Sequence, residues 1–198
     1  MNQLYKPEEN LKAIEGVFKT EIKGLWYIAR KQFEDERGFF AEVAHINKLE
    51  ELTGKPIGVK QINYSRSLTN VVRGMHAEDW KKLIMVTNGL AFCALADIRP
   101  ESETFGKVVS FELGEAGLNG SLFVEEGIAN SFCVVKGPVD YIYFVDRLYT
   151  ERDPKGDVAI SLFDPDLKIE WPLPKEEMIL SERDKKAVSL RDRFPAKF

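Results

Sequence analysis

Histidine and cysteine are scarce in this 198-residue chain, with two of each. A protein-bound catalytic metal needs several imidazoles, thiolates or carboxylates converging on one point. His45 and His76 lie in different segments, and His76-x-Glu78 is the only close pair, so no metal is expected. Cys93 and Cys133 sit in apolar, strand-like runs without metal or redox spacing, and both read as small buried hydrophobes in a reducing cytoplasm. No apolar run approaches bilayer length, and residues 1–15 are polar and charged with no signal-peptide core, so no membrane association is expected. A net charge of −4 supplies no general attraction for nucleic acid, so any anion must be met by a local cluster of arginines. Glycine-rich phosphate loops and nucleophile elbows are missing as well. With 44% hydrophobic and 30% charged residues, the chain has the balance of an ordered soluble protein long enough for one core of its own.

What is there is mostly strand and turn. Residues 25–29 and 38–44 form short apolar runs, separated by the turn-rich Glu34-Asp35-Glu36-Arg37. Residues 8–18 predict a short helical arm after Pro7, and 45–53 a second helix closed by Gly54 and Pro56. Asn88-Gly89 between the apolar runs 82–87 and 90–98 predicts a hairpin, because both central positions of a type I′ turn need positive φ. Further strands follow at 107–113, 121–124, 131–135 and 139–145, and a last helix at 176–186. Many short strands at even spacing make an all-β sandwich or barrel, here a single domain of 1–198 with an N-terminal arm (1–19) and a C-terminal helix and tail (175–198).

Residues 61–67 alternate strictly, with Gln61, Asn63, Ser65 and Ser67 on one face. That face is either ordinary solvent-facing alternation or the lining of a polar cavity. Just beyond lies Arg73-Gly74-Met75-His76, followed by Lys82 at the head of an apolar run, which offers a base titrating near neutrality and a cation able to stabilise an oxyanion. Tyr141 and Tyr143 share a strand face, either in the core or in a cavity, and Tyr149 follows at the strand exit.

Taken together and in order, these segments resemble the dTDP-4-dehydrorhamnose 3,5-epimerase family of cupin-like sugar-nucleotide epimerases. Phe33-x-Asp35-x-Arg37-Gly38-x-Phe40-x-Glu42, Gln61-x-Asn63-x-Ser65-x-Ser67 and Arg73-Gly74-Met75-His76 are similar to family motifs. So are Asp97-Ile98-Arg99 with Ser102-x-Thr104-Phe105-Gly106, the pair Tyr143 and Tyr149, and Asp164 leading to Ile169-Glu170-Trp171-Pro172. The resemblance spans roughly Thr20 to Lys186 and implies an all-β, cupin-type jelly-roll with short peripheral helices, acting as a homodimer without a cofactor.

It further implies a nucleotide-diphospho-4-keto-6-deoxy sugar as substrate, inverted at C3, C5 or both. On this reading His76 removes the proton beside the ketone, Asp164 orients it, Lys82 stabilises the enolate oxygen and Tyr143 reprotonates the opposite face. Arg37, reaching across a dimer interface, and Arg73 would hold the diphosphate. Gln61 and Asn63 would line the pocket, with Glu42, Asn130 and Tyr149 also touching substrate. Three positions depart from the family pattern: Asn130 stands where a histidine is usual, Cys93 where an acid close to the lysine is usual, and Ala77-Glu78 where an aromatic-Gln pair follows the base. These departures keep open a C3-only epimerase or keto-isomerase, and a binding cupin without turnover.

Overall fold

The computed structural model describes residues 3–151, 153 and 156–198, so the first two residues of the expected N-terminal arm lie outside the described residues. A 3₁₀ turn (Glu9–Leu11) leads into β1 (Lys12–Ile14) and β2 (Val17–Lys19), then β3 (Leu25–Ala29), β4 (Lys31–Asp35), β5 (Gly38–Glu42) and α1 (Ile46–Thr53). The central strands are β6 (Gln61–Ser67), β7 (Val72–Ala77), β8 (Lys82–Asp97), β9 (Val108–Gly114), β10 (Gly120–Val124), β11 (Ile128–Val145) and β12 (Val158–Ala159). Short helical pieces close the chain at Lys175–Glu177, α2 (Glu182–Lys185), α3 (Leu190–Arg193) and Pro195–Lys197.

The main sheet runs β1-β2-β3-β10-β8-β11-β7-β12, with β6 also on β11 and β9 also on β8, while β4 and β5 form a separate two-stranded sheet. The first part of β8 bonds β10 and its second part bonds β9; likewise β11 bonds β7 early and β6 late. The two long strands thus pass from one layer to the other, giving the expected all-β jelly-roll. Between the layers lies an apolar core that includes Ile84, Leu95, Phe111, Leu113, Leu122 and Tyr141. A second cluster, with Met75, Phe92, Ile160, Leu162 and Leu190, packs the outer face of the sheet under the C-terminal segment.

Three expectations are corrected. Asn88-Gly89 makes no hairpin: β8 runs straight through it. Ile84 and Val86 enter the central core before the dipeptide, and Ala91, Cys93 and Leu95 after it, so the inward face changes parity there. The partner strand does the same, with Phe132 and Val134 inward before Gly137-Pro138 and Val139 and Tyr141 after. Register shifts mark this stretch, and Asn88 Nδ2 donates to Pro138 O at 2.6 Å, tying the two irregularities together. Gly89 has φ +77°, and a Cβ there would meet Pro138 O at 2.5 Å and Lys136 O at 2.6 Å. The dipeptide supplies the positive φ of a bulge, which bends a strand pair without reversing it.

Residues 8–18 form a 3₁₀ turn and the β1–β2 hairpin in place of a helical arm, because Gly16 (φ +79°) closes a tight turn and Val17 buries against the core around Leu49. Residues 176–186 are not one helix but an extended stretch between two short turns, since Ile179 pairs its backbone with Val72 and Asn70. The helix α1 is as expected, with Gly54 in the left-handed conformation at its end.

The motif Asp97-Ile98-Arg99…Ser102-x-Thr104 has a structural explanation. Asp97 is fully buried and accepts from Arg99 Nε (2.8 Å) and Nη2 (2.7 Å), Ser102 Oγ (2.6 Å) and Thr104 Oγ1 (2.6 Å), cinching the β8–β9 loop. Burial alone would raise its carboxyl, but these donors hold it below the ordinary value. Asp97→Asn should cost about 2–4 kcal/mol near neutral pH, since it breaks a buried charge-assisted network. Because the folded carboxyl is depressed, wild type should keep that advantage down to about pH 4 and lose it as pH falls further. Urea unfolding of both proteins across that range measures the difference.

Candidate active site

The strand β6 is polar inward and carries its large apolar side chains outward. Gln61, Asn63, Ser65 and Ser67 are partly or fully buried, whereas Ile62, Tyr64, Arg66 and Leu68 are exposed. Of the two readings of its alternation, the cavity is correct: Asn63 and Ser65 line a cavity of about 810 Å³ between the layers.

Arg73 and His76 line the same cavity although they are three apart, a spacing that regular alternation would send to opposite faces. The register explains it. On β11, Asn130 faces His76 and Phe132 faces Arg73, so two steps on one strand span three on the other. Gly74 absorbs the extra residue at φ +127°, where a Cβ would meet Ser131 Cβ at 2.4 Å and Asn130 O at 2.8 Å. Met75 turns outward into the second apolar cluster. Arg-Gly-x-His is therefore a bulge that aims a guanidinium and an imidazole into one space. Arg73 Nε donates to Ser67 Oγ at 3.0 Å, which anchors it at the cavity wall.

The carboxylate on His76 is Asp184, not Asp164. His76 Nε2 lies 2.6 Å from Asp184 Oδ1, and both residues line the cavity. Burial would raise the Asp184 carboxyl, but the His76 contact and Ser181 outweigh it and hold it below its ordinary value. An ionised carboxylate only accepts, so Nε2 carries the proton and the lone pair of the neutral ring is left on Nδ1. Asp164 has a different task. Its buried oxygens accept from the backbone N–H of Asp166 (2.9 Å), Leu167 (3.1 Å) and Leu190 (2.6 Å), fixing the C-terminal segment on the sheet.

Asp184 had a sequence signal that the continuous-helix reading hid. Ser181-x-x-Asp184 after the apolar pair Ile179-Leu180 is an N-cap pattern, and the Ser181 hydroxyl accepts from Asp184 N at 3.1 Å. The backbone pairing of Ile179 with β7 then lays this turn against His76.

Lys82 is buried in the cavity wall and paired with Glu78 across the turn between β7 and β8. The expected neighbour at position 93 is not a cavity group: the Cys93 thiol is buried in the apolar core, which pushes its pKa up. Glu78, one of the departures from the family pattern, thus supplies the lysine with a carboxylate. Tyr143 and Tyr141 both face the cavity. Burial, then the charge of Glu78, raises the Tyr143 phenol, with Arg73 opposing. Tyr141 stacks on Phe132 at 4.2 Å and donates to Asn130 Oδ1 at 3.1 Å, which leaves the Asn130 amide nitrogen free to act as a donor beside His76.

The fold therefore brings His76, Lys82, Arg73, Asn63, Asn130 and Tyr143 to one cavity, together with Tyr141, Glu78 and the unanticipated Asp184. Gln61 and Tyr149 lie beside it, held together by Tyr149 N donating to Gln61 Oε1 at 2.9 Å, while Gln61 Nε2 donates to Asn63 Oδ1 at 2.6 Å. Arg37 and Glu42 are not among the residues lining this cavity. Arg37 is exposed on the β4–β5 hairpin and pairs with Asp35, and Glu42 pairs with His45 at 2.9 Å.

A family profile described as dTDP-4-dehydrorhamnose 3,5-epimerase matches residues 19–192. The chain is 34% identical over 180 residues to the dTDP-4-dehydrorhamnose 3,5-epimerase of Escherichia coli (strain K12), covering 88% of this chain and 94% of that one. It is 30% identical over 175 residues to a dTDP-4-dehydrorhamnose 3-epimerase of Streptomyces niveus, covering 86% and 82% respectively. A solved dTDP-6-deoxy-D-glucose-3,5-epimerase of Legionella pneumophila Philadelphia 1, in complex with dTDP-4-keto-L-rhamnose, superposes with a TM-score of 0.79 at 34% identity, covering 88% of this chain and 92% of that one.

The two aspartates should separate cleanly by mutation. Asp164→Asn should lower stability by about 1–3 kcal/mol through its backbone contacts while leaving the hydrogen-bonded His76 ring proton visible by NMR. Asp184→Asn should abolish that downfield resonance with a smaller change in melting. Loss of the resonance in Asp164→Asn would reverse the assignment.

Proposed function

Because the chain belongs to the dTDP-4-dehydrorhamnose 3,5-epimerase family, we propose that it epimerises a thymidine-diphosphate-linked 4-keto-6-deoxy sugar at carbons 3 and 5 without a cofactor. The observation that carries this reading is the His76–Asp184 pair sharing one cavity with Lys82 and Tyr143.

A C–H beside a ketone is weakly acidic, so removal of its proton needs a positioned base and a cation where the enolate charge develops. His76 Nδ1 takes the proton, the C–H electron pair moves into the ring, and the ketone oxygen becomes the enolate oxygen next to the Lys82 ammonium. Asp184 stabilises the imidazolium and fixes the ring. Tyr143, from another strand, returns a proton to the opposite face, and the raised phenol pKa favours its protonated form. Tyrosinate and imidazolium then recover their resting states by exchange with water, so the reaction is a net isomerisation. Arg73 suits the diphosphate, whose oxygens match a guanidinium fork.

The homodimer belongs to the same proposal. Ile62 and Tyr64 on the outer face of β6 and Leu68 just after it are exposed beside the Arg66–Asp140 pair, and Phe33, Phe39 and Phe40 are exposed on the β4–β5 hairpin. A second copy covering these faces would bring Arg37 and Glu42 to the mouth of its neighbour's cavity. The second functional reading, inversion at carbon 3 alone, is favoured by the Streptomyces niveus relative and by the altered surroundings at Glu78, Cys93 and Asn130.

Mass spectrometry of the sugar after turnover in D₂O tests the proposal. Two labelled ring positions are expected for double inversion and one for the second reading; no label overturns both. His76→Asn should lower exchange by about 10²–10⁴-fold with the fold intact. Tyr143→Phe should retain label uptake while net inversion falls. Mixing inactive Arg37→Ala with inactive His76→Asn should restore part of the activity if Arg37 acts across the dimer.

A further inference from the structure

The buried pair Glu78–Lys82 lies in the cavity wall, with side chains 13% and 6% exposed. An ammonium this deep needs a counter-charge, and a carboxylate this deep needs a cation, so each is the condition for the other. The turn carrying Glu78 is itself clamped. Gly127 N donates to Glu78 O, Asp79 holds Arg147, and Lys81 N donates to Asp146 Oδ1 at 2.9 Å. The partners are four apart in sequence, yet the short turn brings them together without regular structure between them. The turn thus sets the backbone of Glu78 at a fixed place in the cavity wall, and its carboxylate there pairs with Lys82.

We infer that Glu78 is a positioning residue for the proposed epimerisation, holding the Lys82 ammonium at the enolate oxygen. The inference rests on the reading of His76, Lys82 and Tyr143 given above. A lysine on four rotatable bonds has many places to put its charge, and a fixed carboxylate removes most of them. The developing enolate then meets an ammonium already in place, with no reorganisation left to perform.

The second effect is a field on the phenol. Tyr143 is faced by Glu78 from the turn, Arg73 from β7, Tyr149 from the segment after β11, and Tyr141 from its own strand, with Lys82 and His76 in the same cavity. After burial, Glu78 is the largest influence keeping the phenol protonated, and Arg73 works against it. Tyrosine donates only as the phenol, so activity is lost as pH rises through its pKa. Without the Glu78 charge that loss should come at lower pH.

The test is steady-state kinetics of Glu78→Gln and Glu78→Asp with a thymidine-diphospho-4-keto sugar, with folding checked by circular dichroism. Glu78→Gln should lower kcat about 10-fold or more with KM held within about 3-fold, and should move the alkaline limb of kcat to lower pH. Glu78→Asp keeps the charge on a shorter arm, so kcat should fall while the limb stays in place. Any other pattern in folded Glu78→Gln overturns the inference, and if that variant does not fold, full kcat in Glu78→Asp does so. Wild-type protein that labels no ring carbon in D₂O overturns the functional reading as well. Normal wild-type labelling with an unaffected Glu78→Gln overturns this inference alone.

Discussion

A β-strand sends successive side chains to opposite faces, and both the barrel and its cavity depend on breaking that period at three places. At Asn88-Gly89 and Gly137-Pro138 the two longest strands change parity together, which lets each cross from one layer to the other while remaining apolar on its inward side. At Gly74 a third interruption turns Arg73 and His76 to the same side. Without the first two there is no closed space. Without the third, the imidazole and the guanidinium would look in opposite directions.

Inside that space the charges come in two buried pairs. His76–Asp184 joins β7 to the C-terminal turn across 108 residues, and Glu78–Lys82 closes the short turn between β7 and β8. Each pair sets a charge of one sign against the other inside the protein, so removing one partner would leave the other buried and uncompensated. On the proposed reading the substrate would enter a cavity in which these two pairs are already in place beside Arg73, the arrangement that stabilising an enolate without rearrangement calls for. The inverted polarity of β6 extends the same logic outward: its polar face serves the cavity, and Ile62 and Tyr64 are left exposed on the other.

Most of this was legible in residues. The alternation of 61–67, the strand-rich middle and the family-like motifs led to the right architecture and to His76, Lys82, Arg73 and Tyr143. The errors share a cause. Asn88-Gly89 supplies positive φ, and a local pattern does not say whether that φ reverses a chain or bulges it; the answer lies in Pro138 on a strand 50 residues away. Asp164 was the more prominent acid in its motif, but which carboxylate reaches an imidazole is decided by tertiary packing. Backbone pairing of Ile179 with β7 brings Asp184 there, while backbone donors consume Asp164. Glu78 was noticed as a departure, yet its partnership with Lys82 follows from the shape of the turn.

The central claim is that His76 and Tyr143 address opposite faces of one sugar ring held in the cavity between the layers. A crystal structure with a thymidine-diphospho-hexose lacking the ketone, and therefore unreactive, tests it most directly. The account predicts the ring between the His76 imidazole and the Tyr143 phenol, with the diphosphate against Arg73 and the ring's carbon-4 substituent toward Lys82. A ring lying outside the cavity, or one with both groups on the same face, would contradict it.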